Sequence, residues 1–513
     1  MTKPNFNIVD LFFDAAKKSP DRIVIIDKKK QVTFFELEQQ VKHTANYFLK
    51  KGIHQGDRVL VFVPMGIDLY RIVLALFNIG AAAVFLDEWI SKKRMEECCR
   101  VAQCKAFIGI RKARVLSLFS SELRRIPIHL GTKYISGIKN NLPKTSVKSG
   151  ETALITFTTG STGIPKAANR THRFLREQFN VLVEKINPQP GEVSIPALPI
   201  VLLINLGAGC TSLITDFKAG KPELMHADKI LNQINFYQIS TIVASPFFIK
   251  ELAKRAISEK IKLPSLKKVF TGGAPVFPSE AKIYKQAFPG TEIEIVYGST
   301  EAEPICAINV EKLIEEYSLS NGLNVGKPDR NAQVKIIQIQ DGIIECGNDT
   351  AFQKLVLPEG TIGEIVVSGP HVLDSYFNNE EALKLNKIFV GSHCWHRTGD
   401  SGFMNGNLFL TGRCNALIFL DNKIISPFVY EGYFQTIPGI EIGTILEKDK
   451  KIIAVIECSP DANKEEITMR LKKIKAPLVS FASIAWISKM PRDPRHHSKI
   501  DYEKLRASIA GLG

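Results

Sequence analysis

Several features that would settle this protein's class at once are missing from its 513 residues. No apolar run is long enough to cross a bilayer. The longest, Ile72–Leu86 and Ile195–Gly209, are broken by Asn78 and Asn205. The opening Met1-Thr-Lys-Pro-Asn-Phe-Asn7 has no apolar stretch of the kind a secretory leader carries, so no signal peptide is expected. The nine cysteines include no C-x-x-C pair, although Cys98 and Cys99 are adjacent and Cys104 is near. That usage suits reduced thiols in a cytoplasmic enzyme. Internal repeats and low-complexity tracts are absent. No basic motif is interleaved with aromatics, so nucleic acid is not an expected partner.

What is present is globular. Hydrophobic residues make up 45% and charged residues 23%, and the length calls for more than one domain. The net charge of +15 has several readings: nucleic acid, an anionic membrane surface or acidic small molecules. The basic residues are spread out, with small clusters at Lys28-Lys29-Lys30 and Lys92-Lys93-Arg94. A solvated surface biased toward anionic substrates fits that distribution, and weak contact with a membrane surface stays open.

Strands and helices alternate along the chain, which predicts an α/β fold with largely parallel sheets. Ile8–Ala16 has helical spacing, Ile23–Ile26 reads as a strand, and Thr33-x-x-Glu36 is a capping box opening a helix that Gly52 ends. Arg58–Val63, the helix Ile67–Ile79 and the strand Ala82–Leu86 follow. Helices are expected over Thr171–Lys185 and Ala462–Lys475, and a strand over Ile452–Ile456.

One stretch carries chemistry. Leu154-Ile-Thr-Phe157 reads as a strand, followed by Thr158-Thr159-Gly160-Ser161-Thr162-Gly163 and then Pro165-Lys166. The two glycines leave backbone N–H groups uncovered, the hydroxyls can turn toward oxygen anions, and Lys166 adds a cation, a combination suited to a polyphosphate. It is not a Walker A loop. An ordinary polar turn is the bland alternative; an unbroken run of six hydroxyl or glycine residues before Pro-Lys is uncommon there. Further on, Val269-Phe-Thr-Gly272-Gly273-Ala274-Pro275 runs a strand into a Gly-Gly turn where a flat ligand can lie on backbone. Ile293–Val296 leads into Tyr297-Gly298-Ser299-Thr300-Glu301. Trp395-His-Arg-Thr-Gly-Asp400 puts a carboxylate at a strand–turn, where it can accept both hydroxyls of a ribose.

These motifs together resemble those of the adenylate-forming superfamily, which includes acyl-CoA synthetases, peptide-synthetase adenylation domains and luciferases. The resemblance covers nearly the whole chain. It implies a large N-terminal domain of mixed sheets with flanking helices (residues 1–414) and a small, mobile α+β lid (415–513). It also implies ATP and Mg²⁺: the loop with Lys166 for phosphates, Gly272–Pro275 for adenine, Tyr297 and Gly298 beside the base. Thr300 would meet the α-phosphate and Glu301 the metal. Asp400 would take the ribose, and Arg413, in Gly412-Arg413-Cys414-Asn415, the ribose or phosphate. Lys499, in Pro491-Arg-Asp-Pro-Arg-His-His-Ser-Lys499, matches the catalytic lysine brought in by the lid.

The reaction so implied is activation of a carboxylic acid as its acyl-adenylate. For the second step, Asp493–Lys499 and Ala106-Phe-Ile-Gly-Ile-Arg-Lys-Ala113 resemble most the β-lactone synthetases of bacterial long-chain olefin biosynthesis, in which a 3-hydroxy fatty acid closes on itself. Other enzymes of such a pathway are then candidate partners. Asn422, where a glycine is usual, and the missing arginine after it weaken a thiol-acceptor reading. The apolar Ile200–Asn205 segment lacks the usual gating histidine or aromatic, and reads as a mixture of core and acyl-chain wall. His172, close to the loop in sequence, is the candidate base; a surface histidine at a helix start is the plain alternative. The competing readings are a fatty acyl-CoA or acyl-AMP ligase, a peptide-synthetase-like adenylation enzyme and a non-catalytic nucleotide-binding regulator. Intact Lys166, Glu301, Asp400 and Lys499 count against the last.

Overall fold

The alternation of strand and helix does produce parallel sheets. The computed structural model describes residues 5–86, 90–135, 145–158, 165–217, 224–316, 322–420, 423–473, 481–492 and 500–510. Nine strands form the first sheet, in the order Lys327–Pro328, Ala302–Asn309, Glu292–Ser299, Lys268–Gly272, Thr241–Ala244, Val193–Pro196, Thr211–Ile214, Ile23–Asp27, Lys30–Thr33. Its middle is parallel and both margins are antiparallel. The second sheet has six strands, Ile128–Leu130, Ala106–Gly109, Arg58–Phe62, Ala82–Phe85, Thr152–Thr158 and Lys166–Thr171, and only the last pair is antiparallel. A third, antiparallel sheet is built from Leu323–Asn324, Asn407–Arg413, His393–Asn405, Gly363–Ser368 and Gln333–Ile337, with Lys387–Val390 paired to His393–Asn405 at one side.

Helices fill the space between the first two sheets. The helix Phe34–Lys50 starts on the expected capping box, in which Thr33 and Glu36 each satisfy the other's backbone N–H. The next helix, Ile67–Asn78, is buried at every position from Leu69 to Phe77. A helix apolar all round has no solvent face to give up, so it belongs in the interior. Its one cation, Arg71, bonds to Asp68 at 2.8 Å, to Thr44 at 2.8 Å and to the Thr132 carbonyl at 2.6 Å.

The C-terminal part has its own three-stranded sheet, Ile440–Lys448, Lys451–Cys458 and Ser483–Ile487, with helices Lys464–Lys472 and Tyr502–Ala510. Its core gathers Tyr430, Phe434, Ile445, Ile456 and Leu471. The helix Pro427–Phe434 straddles the two parts. Its first turn packs Phe428 on Phe277, with ring centroids 5.1 Å apart, and Ser426 bonds the Thr411 carbonyl, while Tyr430 and Phe434 face the C-terminal core. Among the described residues no helix is long and apolar enough to cross a membrane.

Candidate active site

Parallel strands deliver their C-terminal ends to one edge, and ligands of open α/β sheets gather there. Thr158 ends one such strand, and Thr159, Gly160, Ser161, Thr162 and Gly163 lie outside the described residues, as does Lys499. Lys166 pairs with Thr158 across the hairpin and donates to Asn386 Oδ1 at 2.9 Å. Burial lowers its pKa, against the attraction of Glu301.

In the first sheet, Gly272 lies against Val296 so closely that a Cβ would fall 2.3 Å from its carbonyl oxygen. Gly273 takes φ +85° and turns the chain out of the strand, leaving Ala274 and Pro275 partly exposed. The neighbouring strand Glu292–Ser299 carries Tyr297 and Gly298 and reverses tightly through Thr300 and Glu301.

Tyr297 donates its hydroxyl to Asp400 Oδ2 at 2.8 Å, and Arg413 reaches Asp400 Oδ1 at 3.1 Å. Residues more than a hundred positions apart thus meet at one carboxylate. Asp400 and Arg413 face each other across adjacent strands. The expected strand–turn at Asp400 is corrected by the structure: it sits within the 13-residue strand His393–Asn405. The irregularity there is a register shift between Ser401 and Gly402, together with Gly399 at φ +68°. The strand continues because Asn407–Arg413 pairs with it to the end.

Glu301 is 7% exposed. Burial pushes its carboxyl up, but His396, Lys387, Lys166 and a hydrogen bond from Tyr376 at 3.2 Å outweigh this and hold it below its ordinary value. His396 itself is driven down to about 3 by burial and by Lys387, so it is neutral at physiological pH. The standing countercharges are therefore Lys387 and Lys166. Lys387 is 2% exposed, its ammonium has no hydrogen-bond acceptor among the described residues, and burial lowers its pKa to about 8. It pairs directly with His396 across a hairpin.

The segment 371–377 ties these parts together. Leu373 N–H donates to the Glu301 carbonyl at 2.7 Å, and His371 Nε2 lies 2.8 Å from the Pro304 carbonyl. Asn169 N–H donates to Ser375 at 3.3 Å, and Phe377 N–H to Ala167 at 2.8 Å. One extended stretch thus stitches the hairpin of the second sheet to the Glu301 turn of the first.

His172 does not join this group. Thr158 pairs with Lys166 at the loop end of the hairpin and Thr152 with Thr171 at the other, so His172 starts its helix roughly 20 Å from Lys166. It is not a surface residue. At 0% exposure it accepts the Ile8 N–H at Nδ1, lies edge-on to Phe77, and has its pKa lowered by burial to about 4. Proximity in sequence misleads here because an extended hairpin carries the chain away. Tyr376, Lys387, His396 and Asn386 are the site residues that sequence reasoning missed. A lysine leading an otherwise apolar strand, before Gly391-Ser392, was the available signal for Lys387.

The helix Pro199–Ala208 shows the core role expected of it. Asn205 bonds Ser194 and Ser212 inside the core, while Ile200 and Leu203, with Leu74, Phe77 and Leu175, line an apolar cavity of about 40 Å³. Asn422 lies outside the described residues.

The model of the AMP-binding enzyme family matches residues 12–377, most of the chain and all of the first two sheets. The chain belongs to that family. It is an ATP-dependent, AMP-forming ligase that activates a carboxylic acid. An olefin beta-lactone synthetase of Xanthomonas campestris pv. campestris is 27% identical, over 92% of this chain and 90% of its own. A putative acyl-CoA ligase of Bacillus subtilis is 28% identical, over 80% of each chain. ATP-bound MatB from Rhodopseudomonas palustris superposes with a TM-score of 0.82 over 99% of both chains at 18% identity, which shows the shared fold. The site suits the metal: among the described residues no cluster of three His, Cys, Asp or Glu could cage an ion, yet Glu301 is a single buried carboxylate held ionised. Mg²⁺ commonly takes one or two carboxylates and fills its remaining positions with substrate phosphates and water.

Proposed function

We propose that this ligase activates a long-chain 3-hydroxy acid and closes it to a β-lactone, releasing pyrophosphate and then AMP. The likeness to the olefin beta-lactone synthetase, over 92% of this chain, is the observation that carries the reading. In the first step a carboxylate oxygen of the acid bonds to the α-phosphorus of ATP, and the bond from that phosphorus to the bridging oxygen of pyrophosphate breaks. In the second, the 3-hydroxyl oxygen bonds to the acyl carbon, the bond from that carbon to AMP breaks, and the hydroxyl proton passes to solvent. Ring closure needs no second substrate, because holding the hydroxyl against the acyl carbon supplies the effective concentration.

In this reading Asp400, beside Tyr297 and Arg413, accepts the ribose hydroxyls, and Gly272–Pro275 with Gly298 form the bed of the adenine. Thr158–Gly163 and Lys166 surround the phosphates, and Thr300 donates to the α-phosphate. Mg²⁺ on Glu301 would neutralise charge on the phosphate oxygens. The chain divides at 414/415, and residues 415–513 close as a lid that brings Lys499 to the developing charge and keeps water from the adenylate. All nine cysteines are free, which supports a cytoplasmic setting.

The likeness to a putative acyl-CoA ligase supports a second reading, transfer to a thiol. The two part on one comparison. With ATP and a 3-hydroxy fatty acid, lactone and AMP should accumulate at a rate that coenzyme A leaves unchanged. With the same acid lacking the hydroxyl, the enzyme should stall as bound acyl-adenylate. Conversion of the deoxy acid to a thioester at the rate of the hydroxy acid would replace the lactone reading with the ligase.

A further inference from the structure

The helix Arg111–Ser117 and the residues after it put four large apolar side chains into solvent within five positions. Val115 is 51% exposed, Leu116 59%, Leu118 62% and Phe119 70%. Single exposed leucines are ordinary; a contiguous group is not. The local structure forces the arrangement. Ser117 and Ser120 turn inward, Ser117 Oγ bonding the Arg114 carbonyl at 2.7 Å and Ser120 Oγ bonding Glu96 at 2.9 Å. With those two positions facing the protein, the pairs on either side face out. Ala113 packs on the core and anchors the segment.

Exposed cations flank this patch along the chain and on the helix packed beside it. Arg111, Lys112 and Arg114 precede it, Arg124 and Arg125 follow it, and all are exposed. Lys92 and Lys93 are exposed at the start of the helix Lys92–Ala102, the helix whose Glu96 receives Ser120. Of the acids nearby, Glu97 is paired with Arg94, Glu122 takes up Arg100 and Arg125, and Glu96 accepts from Ser120 and keeps its charge, outnumbered by Arg111, Lys112, Arg114, Arg124, Lys92 and Lys93. The surface is therefore apolar at its centre and positive at its rim, on a chain of net charge +15.

We infer that this face docks on an anionic lipid bilayer. Apolar side chains between cations are what an interfacial segment presents: the first enter the headgroup boundary and the second meet lipid phosphates. Its place in the fold fits the use. Ala106–Gly109, Arg58–Phe62, Ala82–Phe85 and Thr152–Thr158 run parallel, so the chain leaves Gly109 toward Arg111 at the same sheet edge where it leaves Thr158. Three strand spacings, about 14 Å, separate the two. A bilayer beneath the patch lies beside the site, where an alkyl acid that partitions into lipid can be handed over. The inference rests on the reading of a long-chain acid only for its purpose; binding is measured without turnover, so either can fail alone.

The test is flotation of the full-length protein with vesicles of phosphatidylcholine alone and of phosphatidylcholine containing phosphatidylglycerol. Binding is expected to the anionic vesicles only, and to weaken as salt is raised. Replacing Leu116, Leu118 and Phe119 together by serine should weaken it on the order of a hundredfold. Arg111→Gln with Lys112→Gln should weaken it roughly thirtyfold. Neither variant should change the melting temperature, because the altered side chains are exposed. Equal binding to neutral and anionic vesicles, or full binding by the triple-serine variant, would overturn the inference. So would an absence of vesicle binding in a protein that still binds soluble polyglutamate, which would make the patch a site for acidic protein.

Discussion

Asp400→Asn removes a charge and little else, which makes it a sharp test of the nucleotide pose. The carboxylate is 24% exposed and its partner Arg413 is 53% exposed, so solvent screens the ion pair and its loss should cost the fold no more than about 1 kcal/mol. The asparagine oxygen can still accept from Tyr297, which lies 2.8 Å away in the native protein. The melting temperature should therefore move by no more than about 2–4 °C. Nucleotide binding should move much further. Two ribose hydroxyls donating to a carboxylate contribute about 1.5–3 kcal/mol each, against about 0.5–1.5 for a neutral acceptor. The difference, about 2–3 kcal/mol over both, is a loss of roughly 30- to 150-fold in ATP affinity. The rate at saturating ATP should fall less, because the ribose is not where charge develops. Calorimetric titration with ATP and pyrophosphate exchange would measure the two effects separately. Deoxyribose analogues of ATP close a double-mutant cycle: the native enzyme should discriminate against them, and the variant should largely lose that discrimination. A variant that binds ATP normally and still rejects the deoxyribose analogues would take Asp400 away from the ribose.

Two further outcomes follow from buried charge. Lys387→Met removes a buried ammonium that has no hydrogen-bond acceptor among the described residues; Glu301 loses a countercharge, its carboxyl titrates higher, and the acid limb of the pH–rate profile should move to higher pH, whereas an unmoved limb would separate Lys387 from Glu301. Glu431, partly buried beside Tyr502 and Thr444, has its carboxyl raised by burial to about 7 from 4.5. The folded C-terminal part therefore holds a proton that the unfolded chain releases, and its stability should be full below about pH 4.5, fall by up to about 3 kcal/mol as pH rises to about 7, and stay level above. Hydrogen exchange across Ile440–Lys448 would report this, and Glu431→Gln should flatten it; a slope that persists in the variant would assign it to other groups.

The residues that could be read from sequence are those whose role depends on local pattern. The Thr33–Glu36 capping box, the parallel strands and the Tyr297–Glu301 turn are each specified within a few positions, and each forms as its neighbours dictate. Asp400 and Arg413 were legible as chemistry, but their pairing follows from the antiparallel register of the third sheet, which no local signal states. His172 stands apart from Lys166 because closeness along the chain is not closeness in space. Lys387 opposite His396 was within reach: Gly391-Ser392 is a two-residue hairpin turn of a recognised kind, and strand pairing across it brings those two residues together. That both are buried could not be seen, because burial depends on what the third sheet packs against.

The same distinction explains where the site is vulnerable. Lys166 comes from the second sheet, Tyr297 and Glu301 from the first, and Asp400 and Arg413 from the third. No strand pairing within one sheet fixes the distance between these groups. The segment 371–377 ties the first two sheets, through its backbone bonds to Glu301, Ala167 and Asn169 and through Tyr376, which is buried and donates to Glu301, while the Tyr297–Asp400 bond joins the third. None of these residues belongs to a motif, and most of their contacts are made by backbone that any residue could supply. A substitution there that keeps the fold but loosens the seam would displace Glu301 from Lys166 without touching either. A displacement on the order of 1 Å at reacting groups can cost a hundredfold in rate. Chemistry in this protein is therefore written in motifs, while the geometry that makes the motifs work is held by a stretch of sequence that carries none.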